Sequence, residues 1–379
     1  MKKILSIFTV VAVLASCGGG EEPVYGDGYD RSVLLANVTD NIIIPAYQNF
    51  YADVIDLENA VTAFAYQTDQ ANFDIVEQKW FDAYKSMQHV EMFDINMAEL
   101  INFRKKINSY PCNTMRIELN VANGGYDFDD PNHFAAQGFP TLDYLINGTP
   151  NGLADYTSGG MYLAYLQDVV NDIKVNTENI QNEWISNRDQ FVSSSANTAT
   201  SSLNKLTNDL IFYYEKGLRA NKIGIPVGIF SGSSLPQNVE CYYYNLETGN
   251  ASKILLMEAF DAVAKAFNGV SFDGNNGGEG WGSYLQFLNA LSNCSNPNNV
   301  NGAFAFEAIE DAVVSPGDVQ PYVVTFAPTG TIFAPLAQQV NLEIATNDPN
   351  QPLLTINVNA RAIAPQGTLS WSGSFDGYF

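Results

Sequence analysis

Residues 137–148 read Gln137-Gly138-Phe139-Pro140-Thr141-Leu142-Asp143-Tyr144-Leu145-Ile146-Asn147-Gly148, and they lie between two helix-rich halves of a 379-residue chain. A proline is tolerated in the first turn of a helix, where its missing N–H has no intrahelical acceptor, and a carboxylate near that end meets the positive end of the helix dipole. Gly138-Phe139-Pro140 therefore reads as a helix start with Asp143 close behind it. Asp143 also offers oxygen ligands, so the same stretch has a structural reading and a binding one.

Outward from this stretch the pattern is helical. Toward the N-terminus, Leu34, Val38, Ile42, Ala46, Phe50, Val54, Leu57, Val61 and Phe64 follow steps of three and four, which keep one helix face inward. Pro45 inside that run predicts a kink or break near Ile44. Val76, Trp80, Ala83, Met87 and Val90 define a second helix, Met97 to Ile107 continues or follows it, and Pro111 closes the unit. Asn120 to Pro131 loses the period and gains Gly124 and Gly125, so it reads as a loop. Beyond Gly160, Leu163, Leu166, Val170, Ile173, Ile180 and Trp184 form one stripe, and Leu203, Leu206, Leu210, Tyr213 and Leu218 another. Ser193 to Ser202 between them is a turn able to cap the second helix. Leu256, Phe260, Val263 and Phe267 mark a further helix, stopped by Asn268-Gly269. Gly274 to Gly282 lacks the Lys-Ser or Lys-Thr of a phosphate loop and reads as a plain connection, followed by a short helix around Leu285 to Leu291. Past Ser315 the runs Pro321 to Phe326, Val340 to Ile344 and Leu353 to Val358 read as strands between Pro, Gly and Asn turns. The fold class is mainly α with a small β-rich segment over 315–379.

The chain ends and composition bound the function. Lys2 and Lys3, the apolar run Ile4 to Ala15 and then Leu14-Ala15-Ser16-Cys17 form an export signal over 1–16. Leu-Ala-Ser-Cys resembles a bacterial lipobox, with Cys17 as the lipid attachment; the alternative is an ordinary secretory signal that contains a cysteine. Residues 17–30 begin Cys17-Gly18-Gly19-Gly20-Glu21-Glu22-Pro23, a flexible acidic tether. The expected location is the bacterial envelope, at the outer membrane facing the periplasm or the cell surface, with the membrane as partner through lipid on Cys17. The formal charge is −23, and removal of residues 1–16 leaves 16 basic against 41 acidic residues, which repels nucleic acid and anionic lipid. Hydrophobic content of 46% and aromatic content of 12% support a packed core. Cys112, Cys241 and Cys294 fit no zinc ribbon or Cys-x-x-Cys pattern, and one disulfide with one free thiol is a possible arrangement. The only histidines are His89 and His133, neither at zinc-protease spacing, and no Gly-x-Ser-x-Gly or His-Glu-x-x-His occurs.

Several landmarks resemble imelysin-like proteins, also called peptidase M75 and related to bacterial iron-uptake lipoproteins. They are the Pro-Ala-Tyr step within Asn41 to Tyr47, then Trp80, Gln88-His89-Val90-Glu91 and Lys106-Ile107-Asn108-Ser109-Tyr110-Pro111. Gly138 to Gly148, Lys222-Ile223-Gly224-Ile225-Pro226 with Val239-Glu240, and Gly280-Trp281-Gly282 complete the set. The resemblance implies two packed helical lobes, here 31–150 and 151–300, with the signature at their junction. The family signature Gly-x-His-x-x-Glu, aligned on Gly138, places Pro140 at the His position and Asp143 at the Glu position. A His and a carboxylate one turn apart can share a cation or act as an acid/base pair; Pro140 has neither a lone pair nor a titratable proton, which moves the expectation from hydrolysis to binding. The resemblance gathers Glu91, Asp143, Glu240 and Tyr242 around a shared cleft, with Asp143 and Glu91 as ligands for iron or another divalent cation, and His133 as a spatial replacement for the missing histidine. Components of an iron- or haem-uptake transporter are the implied partners. The alternatives are a residual metal-dependent peptidase and a surface adhesion protein. From about Asn298 the likeness ends, and Val323 to Pro328 with Thr346 to Pro352 instead resembles part of an immunoglobulin-like module of the abnormal-spindle and hydin type.

Overall fold

A computed structural model of the chain describes residues 27–157, 160–230 and 232–288, together with strand stretches between 304 and 373. Cys17, the export signal, most of the tether and Cys294 lie outside the described residues. The chain divides into two compact units, Met1–Trp281 and Gly282–Phe379.

In the first unit, Asp30 accepts a hydrogen bond from the Ser32 N–H and starts α1, Arg31–Val38. The helix then widens into a π-helical stretch, Thr39–Ile43, before α2, Ile44–Tyr66, which carries Pro45 in its first turn. The break expected near Ile44 is therefore a change of winding, and the Asn41 carbonyl one turn before Pro45 accepts the backbone N–H of Phe272 at 2.8 Å in place of the N–H that proline lacks. All nine stripe residues from Leu34 to Phe64 are buried. Asp69 caps α3, Gln70–Met87, through the Asn72 N–H. Its inward residues Val76, Trp80, Ala83 and Met87 pack against α2. Two short helices follow, α4 (Met97–Leu100) and α5 (Phe103–Ile107), joined by Asn102 in the left-handed conformation. Asn113 caps α6, Thr114–Asn123, so the helix runs through Asn120 and the expected loop begins only at Gly124.

The quoted stretch does start a helix, α7, Gly138–Asp143. Gly138 has φ +75°, and a Cβ there would stand 2.3 Å from the Ile107 carbonyl oxygen and 2.4 Å from that of Lys106. Only glycine fits that approach of α7 to α5. Phe139 stacks on Tyr84 at 4.7 Å, and the Trp80 indole N–H donates to the Phe139 carbonyl at 3.2 Å, which anchors α7 to α3. Such ring pairs add roughly 0.5–1.5 kcal/mol beyond their buried area.

After Asp143 the chain enters a second π-helical stretch, Tyr144–Gly148, then α8, Leu153–Thr157, and α9, Met161–Ser186, which packs on α2. The short α10, Arg188–Ser193, precedes α11, Ser202–Phe212. The Ser201 side chain bonds to the Thr198 carbonyl rather than capping α11. From Tyr213 to Gly224 the helix continues as a third π-helical stretch. A loop leads to α12, Tyr242–Thr248, and α13, Ala251–Asn268, which ends at the left-handed Gly269 as expected.

One face differs from expectation. The buried residues of α13 are Ala251, Leu255, Ala259, Ala262 and Ala266, while Phe260 is 52% exposed and Phe267 lies at the surface. The alanine row brings α13 close to α3 and to the Tyr213–Gly224 stretch, and the larger residues face outward. The glycine-rich connection after α13 is tied down: the Asn37 amide donates to the carbonyls of Gly269 and Glu279, both at 2.9 Å, and a Cβ on Gly278 would collide with that amide. The unit closes with Trp281, whose indole donates to Thr207 at 2.8 Å and which opens α14, Trp281–Phe287. Among the described residues no helix is long and apolar enough to cross a membrane.

In the second unit, β1 (Phe304–Phe306), β2 (Tyr322–Phe326) and β5 (Leu369–Gly373) form an antiparallel sheet in the order β1-β2-β5. The strands β3 (Leu336–Ala345) and β4 (Leu353–Ala362) pair antiparallel over their full length, from Leu336 opposite Ala362 to Ala345 opposite Leu353.

Candidate functional site

The turn that ends α3 places Gln88 and Glu91 in the core, and the chain leaving α5 places Asn108 beside them. The Asn108 amide N–H₂ donates to Glu91 at 2.7 Å and to Glu240 at 2.6 Å, so one side chain holds two carboxylates together. Its carbonyl oxygen accepts from the Tyr84 hydroxyl at 2.7 Å. Gln88 donates to Glu240 at 3.1 Å, and the Tyr213 hydroxyl donates to Glu91 at 2.8 Å. Lys222 stands among these groups with its side chain 2% exposed. Its ammonium lies 3.1 Å from Glu91 Oε2 and 2.8 Å from the Gln88 Oε1, and it donates to Glu240 Oε1 in the shortest contact of the set. Three N–H donors meet three oxygens, the full capacity of an ammonium.

The electrostatics follow from this arrangement. Burial alone pushes the Glu91 carboxyl up, but the Lys222 ammonium, the Asn108 and Tyr213 hydrogen bonds and Arg104 outweigh it and hold Glu91 below its ordinary value. Burial likewise lowers Lys222, yet Glu240 and Glu91 together hold it above the usual lysine range. The pair is ionised on both sides. Burial, joined by these carboxylates, keeps the hydroxyls of Tyr84, Tyr110 and Tyr213 protonated, and therefore donors. A second ring supports the first: Arg104 donates from Nε to the Glu91 carbonyl at 2.9 Å and from Nη2 to Asp209 at 2.9 Å. Burial raises Asp209 to about 6 despite that guanidinium.

The winding of the Tyr213–Gly224 stretch makes the cluster possible. Tyr213 and Lys222 both reach Glu91, although they are nine residues apart. In an α-helix nine residues make about two and a half turns and would put them on opposite faces. In a π-helix, with i→i+5 bonding and about 4.4 residues per turn, nine residues make about two turns and put both on one face. Tyr213, Leu218 and Lys222 are accordingly the inward side chains of the stretch.

Asp143 belongs to a different set. Its carboxylate accepts the backbone N–H of Tyr243 at 2.7 Å and of Tyr244 at 2.9 Å, and the Asn147 amide at 3.2 Å. It sits at the end of α7 rather than near that helix's positive end, and it serves the first turn of α12 instead. Burial pushes Asp143 up to about 7 against the pull of those three donors. The two sets are neighbours in sequence on one side only, because Glu240 lies two residues before α12 begins.

The structure thus brings Glu91 and Glu240 together and leaves the other expected site residues elsewhere. Asp143 and Glu91 share no partner, so the cation-ligand pair expected from the sequence is not formed: each carboxylate is already committed to its own donors. Among the described residues no group of three or more His, Cys, Asp or Glu is placed to hold a metal ion. His133 is buried in the turn before α7 and its Nδ1 lies 2.8 Å from the Asp127 carbonyl, not against Asp143. The Tyr242 ring packs edge-on against Tyr243 at 5.1 Å. Pro140 is buried inside α7. His89 pairs with Glu258 at 3.2 Å. Cys112 and Cys241 are both free, and burial raises the Cys112 thiol to about 12 and the Cys241 thiol further, so neither is a nucleophile at neutral pH. Sequence reasoning missed Lys222, Asn108, Gln88 and Tyr213 as site members. The one signal was the five-residue step from Tyr213 to Leu218, too long for an α stripe.

These features define a helical protein whose buried polar centre is charge-compensated from within. A family model described as imelysin, peptidase M75, matches residues 43–264, more than half of the chain, and the chain belongs to that family. Among solved structures it is similar to a chain described as an iron-regulated protein A precursor from Parabacteroides distasonis. The identity is 18%, the match covers 69% of this chain and 78% of that one, and the TM-score is 0.53. An imelysin-like protein from Psychrobacter arcticum is similar at 18% identity over 63% of this chain and 74% of that one, with a TM-score of 0.48. At such identity the likeness is one of fold. No curated protein matches.

Proposed function

We propose that this chain is a non-catalytic member of the imelysin family that binds a ligand in iron or haem acquisition at the bacterial envelope, anchored by lipid on Cys17. The observation that carries the non-catalytic part is the signature itself. Pro140 stands at the family's His position, and both oxygens of Asp143 are engaged by backbone N–H groups of α12. A general base needs a lone pair within reach of a substrate water; Pro140 has no such lone pair, and Asp143 is buried with three donors on its oxygens. The description of the P. distasonis neighbour as iron-regulated supports the acquisition role, and the Leu14-Ala15-Ser16-Cys17 sequence supports the anchor.

Three measurements test this reading. The mature chain, titrated with haemin and separately with ferric citrate, is expected to show one saturable site for one of them; binding of neither removes the acquisition role. Casein cleavage is expected to be absent with or without chelator, and chelator-sensitive cleavage that disappears in Asp143→Ala would overturn the non-catalytic reading. Cys17→Ser is expected to move the protein from the membrane fraction to the soluble one.

A further inference from the structure

The family resemblance leads to a cation among carboxylates, and the geometry disagrees in a specific way. The centre formed by Glu91, Glu240 and Gln88 directs three oxygens at one point, and that point is occupied by the Lys222 ammonium. Oxygen donors converging on a single positive charge are what a hard cation requires. We infer that Lys222 is the built-in cation of this centre, so that the native chain holds no metal between Glu91 and Glu240, and removal of the ammonium opens an oxygen-lined site for a hard cation. This inference does not depend on the proposed role in iron acquisition, because a ligand bound elsewhere leaves it untouched.

Three observations support it. Lys222 is an ordinary surface residue by its charge, yet its side chain is as buried as that of Glu240, both at 2% exposure. The other side chains that donate to the two carboxylates, Asn108, Gln88 and Tyr213, are neutral, and the ammonium is the only positive group in direct contact with both acids among the described residues. The π-helical winding, an unusual conformation, is what places Lys222 there. A buried carboxylate pair without a counter-charge carries a large desolvation penalty, and here a side chain meets that need in place of an ion.

Terbium(III) luminescence provides the test. Terbium is a hard, oxygen-seeking ion, and the Tyr213 ring next to Glu91 is placed to sensitise it. Lys222→Ala is expected to gain a saturable terbium signal with half-saturation at least tenfold below that of the native chain, whose acidic surface binds the ion only weakly. Adding Glu91→Gln and Glu240→Gln to Lys222→Ala is expected to remove the gained signal. A native chain that shows the same tight signal, lost on Glu91→Gln with Glu240→Gln, would overturn the inference, because a metal would then displace the ammonium. So would a folded Lys222→Ala that gains nothing. Should Lys222→Ala fail to fold alone, refolding with calcium or manganese(II) decides: recovery of the helical circular dichroism signal supports the built-in cation, and no recovery overturns it.

Discussion

Glu91 and Asp143 are both buried carboxylates of one helical body, and they are stabilised in opposite ways. Glu91 is kept charged by an ammonium, two neutral side-chain donors and a guanidinium. Among the described residues Asp143 has no cation in contact, and its partners are two backbone N–H groups and an amide. The first solution retains a full charge inside the protein; the second lets burial draw the acid toward its neutral form, up to about 7. Burial therefore does not by itself mark a functional acid, because the outcome depends on whether a counter-charge is within contact distance.

Removing that counter-charge tests the comparison most severely. Lys222→Met leaves two acids buried without a cation and is expected to cost about 5 kcal/mol in urea unfolding, the upper range for breaking a buried pair. A loss of less than about 1 kcal/mol would mean that water reaches the centre. The two carboxylates also oppose each other in pH. Asp143, raised from about 3.9 in the unfolded chain to about 7, contributes stability that is fully present below pH 4 and lost as pH rises through 7. Relative to Asp143→Asn, the native chain is expected to lose on the order of 4 kcal/mol between pH 4 and pH 8 in paired denaturation curves. Glu91 is lowered, so its contribution is present above its unfolded value and is lost as pH falls through its folded value. A smaller effect, about 3 kcal/mol by chemical denaturation, is expected for Gly138→Ala, which places a methyl group against the Ile107 and Lys106 carbonyls at a positive φ. The smallest is Tyr213→Phe, which removes one hydrogen bond to a charged carboxylate and should cost about 1.5 kcal/mol in the same assay. No loss there would show that Lys222 and Asn108 satisfy Glu91 without the hydroxyl.

The sequence made the helices legible wherever α periodicity held. The stripe from Leu34 to Phe64 is buried throughout, and Pro45, Gly138 and Gly269 mark the boundaries their chemistry predicts. The face of α13 was misread because bulk was taken as the sign of burial, whereas the alanines point inward. The family positions gather Glu91 and Glu240 with Asp143 and Tyr242 around one cleft, and of these only Glu91 and Glu240 meet. Their cation was not legible, since an α-helical reading turns Lys222 away from Tyr213. Hydrogen-bond partners such as Asn108 leave no periodic trace, because a single polar residue between helices carries no repeat.

The Tyr213–Gly224 stretch has a consequence for how this centre tolerates change in chain length. A π-turn is what a helix forms when it carries a residue more than α-winding can place. Deleting one residue between Lys216 and Ala220 and returning the segment to α-winding would set Tyr213 and Lys222 eight residues, about 800°, apart, so that they stand roughly 80° from each other around the helix instead of in line, and the ammonium shifts against both acids without any residue of the cluster being altered. For this centre a change in chain length acts as a change in the geometry of its charges.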